Sequence, residues 1–221
     1  MEPPVTDATA PEWLIDAADA RLDDERLARI ADDGRPDRLA WNTFRTLALW
    51  DTDAWVPALL EVALGDGNEL SPLEWSDAAV VPWGAGVPGD GVCDVALEGA
   101  HAYVVAVCSL TADVPLEFLR AGAIAALDGS VHGSREAGLV LVAPTMPEDL
   151  NERLRLAADV ELHDGRRASD LLDAAMGGVT WADLARLALD LAEEGDPDTE
   201  PVEAVRQLVL EIEAAAPGEP V

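Results

Sequence analysis

The chain has 221 residues, with 44 Asp and Glu set against 14 basic residues, all of them Arg, for a formal net charge of −30. Such charge opposes a compact state at low ionic strength and is screened near 1 M salt, where the Debye length is roughly 3 Å, so the composition is that of a halophilic protein and disfavours nucleic acid as a partner. A hydrophobic share of 49 % with seven Trp excludes a wholly disordered acidic chain, and no apolar run approaches the roughly 20 residues of a membrane span.

The first residues, Met1-Glu2-Pro3-Pro4, carry neither a basic nor an apolar leader, so a cytoplasmic protein is expected. Trp13, Leu14, Ala17, Ala18, Leu22, Leu27 and Ile30 recur at helical spacing and predict a leading helix over 12–32, ended by Asp33-Gly34. Two further helical stripes follow, Leu39, Phe44 and Leu47 over 37–49 and Trp55, Leu59 and Leu60 over 53–64. After Pro72 the apolar period shortens, predicting strands over 78–83, 92–98 and 101–109. Pro115 opens an Ala-rich helix through Leu127, and Gly138 to Ala143 is a continuous apolar run of the kind buried on both faces of a sheet. A helix is predicted over 147–156, a short edge strand over 159–163 and a helix over 168–175. Thr180 and Asp183 have capping-box spacing before a helix over 181–194, and Val202, Val205, Leu208, Val209 and Ile212 form one face of a last helix over 201–215. The last two read as a helical hairpin.

The segment Val92-Cys93-Asp94 through Cys108 carries the most chemical information. With its turn at Gly99-Ala100, antiparallel pairing sets Asp94 opposite Ala106, on one face with Cys108, while Cys93 faces the other way. In this order of elements, and in a hairpin whose first strand bears an Asp, the chain resembles the PD-(D/E)XK, or restriction-endonuclease-like, superfamily over about residues 37 to 163. Trp41-Asn-Thr-Phe-Arg-Thr-Leu47, Trp55-Val-Pro-Ala-Leu-Leu60 and a strand ending at Trp83 are similar to a halophile family of such domains. The resemblance implies an α/β fold: a restriction-endonuclease-like core (helix, three strands, helix, strand) over 37–165, a leading helical segment over 1–36 and a C-terminal helical appendage over 166–221. In active members of the superfamily, an Asp and the acidic residue of an acidic-x-Lys triplet hold Mg²⁺ while the Lys positions water near a phosphodiester.

Asp94 matches the first of these positions, but the triplet positions hold Ala106, Val107 and Cys108, and the chain has no Lys to supply from elsewhere. Glu98 lies four residues along the same strand, about 13 Å from Asp94, too far to share an ion. Glu61 stands where an extra helix carboxylate would sit, so Asp94 and Glu61 are the candidate metal ligands, weighed against a solvated Glu61 and a strand Asp94 that accepts backbone hydrogen bonds. Gly84-Ala-Gly86-Val-Pro-Gly89 matches a dinucleotide fingerprint in letters only, because a strand follows it and Pro88 lacks an N–H; it is read as a loop. Trp41, Trp50, Trp55, Trp75 and Trp83 are read as core or interface residues rather than base-stacking platforms, and His101, His132 and His163 as surface residues. Arg153, Arg155, Arg166 and Arg167 form the nearest approach to a basic patch, which salt bridges within the chain or to a partner explain equally well. Cys93 and Cys108 are expected to be buried thiols on opposite faces, with no disulfide between them.

Together these features predict a catalytically degenerate nuclease-fold protein that binds or regulates an unidentified protein partner and needs no cofactor. The alternative is a Mg²⁺-dependent nuclease with a rearranged site around Asp94.

Overall fold

The computed structural model describes residues 28–30, 35–87, 91–131, 135–161, 167–172, 175–193 and 200–216. The predicted leading helix lies outside them except at 28–30, which are helical, and His132, His163 and Arg166 lie outside as well.

Pro36 opens α1 (Pro36–Leu47), where its fixed φ and missing N–H suit the first helical turn. α2 (Thr52–Leu64) follows, then β1 (Ala79–Pro82), β2 (Val92–Glu98), β3 (Ala102–Ser109), α3 (Leu116–Val131), β4 (Glu136–Ala143), α4 (Leu150–Ala158), α5 (Ala168–Leu172), β5 (Met176–Thr180), α6 (Trp181–Glu193) and α7 (Glu200–Ala215). The strands form one sheet in the order β1-β2-β3-β4-β5. β1, β2 and β3 pair antiparallel through short connections, whereas β4 and β5 pair parallel, as helical crossovers require.

Period-2 alternation divides the core in two. Cys93, Val95 and Leu97 of β2 with Val104, Ala106 and Cys108 of β3 pack against α1, α2, α6 and α7. Val92 and Ala96 with Tyr103, Val105 and Val107 pack against α3, α4 and α5 on the other face. The result is a three-layer α/β/α architecture around a mixed sheet. No helix among the described residues is long and apolar enough to cross a membrane.

Three expectations need correction. The hairpin closes on a two-residue loop, Ala100-His101, with Gly99 N–H donating to the Ala102 carbonyl at 2.9 Å. That shifts the register by one residue: Asp94 faces Val107, Val95 faces Ala106, and Cys93 faces Cys108. A one-residue slip moves every side chain to the other face, so Ala106 and Cys108 are not on the Asp94 side and the two cysteines share a face. The expected edge strand over 159–163 is described only over 159–161, where no strand forms and Glu161 makes a single antiparallel bridge to Arg167.

The third correction concerns residues 166–221, which are not a helical appendage but supply β5 to the sheet and α6 and α7 to the core. β5 is hard to read because Met176-Gly-Gly-Val-Thr180 lacks an apolar run. Its glycines are there for close approach: a Cβ on Gly177 would stand 1.9 Å from the Ala63 carbonyl of α2. The expected capping box is present, with the Asp183 N–H donating to Thr180 Oγ1 at 3.1 Å and the Thr180 N–H donating to the Asp183 carboxylate at 3.1 Å.

Candidate functional site

β2 carries Asp94 between Val92 and Ala96 on the α3, α4 and α5 side of the sheet. It is only 1 % exposed, although a carboxylate there must be neutralised by something. The chain leaving β1 supplies the means. Trp83, at a φ of 54°, turns the backbone over the sheet face, and Gly86, at a φ of 64°, continues the turn in the region that favours glycine. The loop brings Ala85 N–H to Asp94 Oδ2 at 2.7 Å, Gly86 N–H to the same oxygen at 3.1 Å and Val87 N–H to Oδ1 at 3.1 Å.

Successive N–H groups converging in this way form an anion-binding nest. The fingerprint-like Gly84–Gly86 segment is therefore not a vacant phosphate cradle, since the anion it holds is the protein's own carboxylate. Burial pushes the Asp94 carboxyl above its ordinary range, and the three N–H donors oppose that push.

Mg²⁺ requires several oxygens in near-octahedral array. Both Asp94 oxygens already accept hydrogen bonds, and the residue facing it is Val107. The flanking positions on that face of β3 are Val105 and Ser109, neither a carboxylate nor a base, and the Ser109 hydroxyl accepts the Thr111 N–H at 3.0 Å. Glu61 is exposed on α2, a helix of the opposite layer, and Glu98 stands at the far end of β2. The sequence candidates are not brought together and do not fit the ion. No group of three or more His, Cys, Asp or Glu among the described residues could hold a metal.

A cleft of about 480 Å³ beside the nest is lined by Gly84, Ala85, Gly86, Tyr103, Ala121, Ile124, Ala125, Asp128 and Gly129. Among the described residues that line it, Asp128 is the only charged side chain, and a carboxylate repels a phosphate. A larger groove, about 1190 Å³, runs along α4 and α5 and is lined by Glu148, Asp149, Glu152 and Asp159 with Arg155, Asn151, Leu156 and Ser169. Two arginines of this region are engaged internally, Arg153 with Asp113 at 3.0 Å and Arg167 with Asp159. Trp41, Trp55, Trp75 and Trp83 are buried, and Trp41 stacks on Trp83 with ring centroids 5.6 Å apart. They are core residues, unavailable to bases, and His101 lies exposed in the hairpin turn.

Sequence reasoning missed a second buried carboxylate, Asp37, also 1 % exposed, at the start of α1 on the other face. It pairs with Arg29 Nε at 2.7 Å and accepts the Trp83 indole N–H at 2.9 Å. Its signal was spacing: Asp37, Trp41 and Phe44 stand at i, i+4 and i+7, which puts the Asp on the apolar stripe.

Comparison with known proteins returns no matching family model, curated protein or solved structure. What the chain itself defines is an α/β protein with a five-stranded mixed sheet between two helical layers.

Proposed function

We propose that this chain is a catalytically degenerate member of the restriction-endonuclease-like superfamily that acts as a binding or regulatory protein in a high-salt cytoplasm. The order of α1 and α2, β1 to β3, α3 and β4 supports the fold half of this reading. The degenerate half rests on the nest: the one carboxylate in a nuclease-like position has both oxygens committed to backbone N–H donors and faces a valine. An acidic chain without lysine supports a protein partner over nucleic acid.

The test is a cleavage assay on DNA and RNA with Mg²⁺ or Mn²⁺ in multi-molar KCl, in which no cleavage above background is expected. Metal-dependent cleavage by the wild type, lost in an Asp94→Asn variant that keeps the native circular dichroism, would overturn this reading in favour of a rearranged nuclease.

A further inference from the structure

Cys93 and Cys108 are the chain's two cysteines, and they stand directly opposite each other on β2 and β3. Successive residues of a middle strand direct their hydrogen bonds to alternate neighbours. The Asp94 carbonyl takes the Trp83 N–H on the β1 side, and the Gly99 N–H donates to Ala102 on the β3 side, so Cys93, Val95 and Leu97 bond toward β3. Cys93 and Cys108 are thus a hydrogen-bonded pair, with a Cα separation of about 5.5 Å that falls within the roughly 4.4–6.8 Å range of disulfides.

Both thiols are free, both are buried, and both face the α1 layer. Only the Val92 and Ser109 rung lies between them and the end of the ladder. Two contacts hold that end closed. The Arg29 guanidinium, which also pairs with Asp37, donates to the Val92 carbonyl at 3.4 Å, and the Trp181 indole N–H donates to the Ser109 carbonyl at 2.8 Å. Burial, and then the proximity of Cys108, push the Cys93 thiol well above its ordinary range, while burial does the same to Cys108. The closed pair is therefore protonated and inert.

We propose that Cys93 and Cys108 form a redox pair, converted to a reversible intramolecular disulfide by exchange with a low-molecular-weight disulfide when the end of the β2–β3 hairpin opens. This inference is independent of the proposed function. In the open state the Cys93 thiolate attacks one sulfur of the small disulfide, whose S–S bond breaks to release one thiolate. The Cys108 thiolate then attacks the Cys93 sulfur and releases the second. The two cysteines lose two electrons and two protons, and the small disulfide takes up both as two thiols. In a hydrogen-bonded pair the Cβ atoms lie at the wide end of the cross-strand range, about 5.5 Å, so closing the bond must draw the strands together. The resulting strain makes the bond easily reduced, as suits a reversible modification rather than a structural staple.

The test uses the full chain in multi-molar KCl with excess oxidised glutathione and no denaturant. The expected result is loss of both free thiols, a mass lower by two hydrogens, a Cys93–Cys108 linked peptide and full reversal by dithiothreitol, with the melting temperature raised by roughly 5 °C. Cys93→Ala and Cys108→Ala should each stop at one glutathione adduct with no such rise. Arg29→Ala keeps the proposal testable should either alanine variant fail to fold: it should speed exchange several-fold, beyond its effect on global unfolding. Two thiols that react only in guanidinium, a stable mixed disulfide on the wild type, a bond between two chains, or an unchanged rate in Arg29→Ala would overturn the proposal.

Discussion

Asp37 and Asp94 are two solutions to one problem. Each is 1 % exposed, they lie on opposite faces of the sheet, and Trp83 touches both, donating its indole N–H to the Asp37 carboxylate and its backbone N–H to the Asp94 carbonyl. Asp37 is held by side chains. Its counter-charge is Arg29, 23 % exposed, and its Oδ2 has no hydrogen-bond partner among the described residues. Asp94 is held by three backbone N–H groups that reach both of its oxygens. A side-chain pair depends on a neighbouring segment and on the ions around it, whereas a backbone cage travels with the turn that forms it and takes up most of the carboxylate's accepting capacity.

The largest effect we expect lies outside both sites and sets the background against which they are compared. The net charge of −30 is confined by folding and spread by unfolding, so stability should climb steeply with KCl. Most of the gain should come by about 1 M, where the screening length is roughly 3 Å, with salting-out adding beyond it. Trp fluorescence melts across a KCl series at neutral pH measure this directly. A melting temperature that stays flat from low salt to multi-molar KCl would show that the acidic surface imposes no salt requirement.

Next in size is the difference between the two carboxylates, read from denaturant midpoints at one fixed high KCl concentration. Asp94→Ala strips three N–H groups of their acceptor, and at about 1–3 kcal/mol per buried unsatisfied group, reduced where the loop can reach water, the cost should be about 3 kcal/mol or more. Asp37→Asn keeps an oxygen for the Trp83 indole and leaves Arg29 close enough to solvent to rehydrate, so about 1 kcal/mol is expected. Equal costs, or the reverse order, would break the distinction between cage and pair.

The same contrast explains what the sequence revealed. α1, α2, β2, β4, α6 and α7 announce themselves through apolar period and caps, because their side chains do the packing. β5 does not, since Gly177 and Gly178 are present for what they lack, and no periodic signal marks a close backbone approach. The hairpin strands were legible but their register was not: pairing Asp94 with Val107, across the two-residue loop Ala100-His101, or with Ala106 is a difference of one residue, and that residue decides which face Asp94 and the cysteines share. Asp94 stood out by residue type and position. Its cage is made of backbone N–H groups that every residue but proline possesses, so the letters Gly-Ala-Gly could suggest an anion cradle without saying whose anion it holds.

The smallest effect is also the most direct probe of the cage, because it asks whether burial or the N–H donors dominate at Asp94. Burial raises the folded-state carboxyl above its ordinary value of 3.8, with the hydrogen bonds pulling the other way. A raised folded value means that the folded chain holds a proton over a pH range in which the unfolded chain has released it. Stability from this group is then lost as pH rises through the folded value, and is fully present only below about the unfolded value. Acidification also relieves the general repulsion, with the same sign, so the measurement belongs in multi-molar KCl, where that background is screened. Asp94→Asn cannot titrate at this position. Urea midpoints of wild type and variant, compared as pH falls from 7 toward 4, should therefore diverge, with the wild type gaining on the variant. A wild type that instead loses ground on acidification would show that the Ala85, Gly86 and Val87 N–H groups outweigh desolvation, and that the cage stabilises the ionised carboxylate.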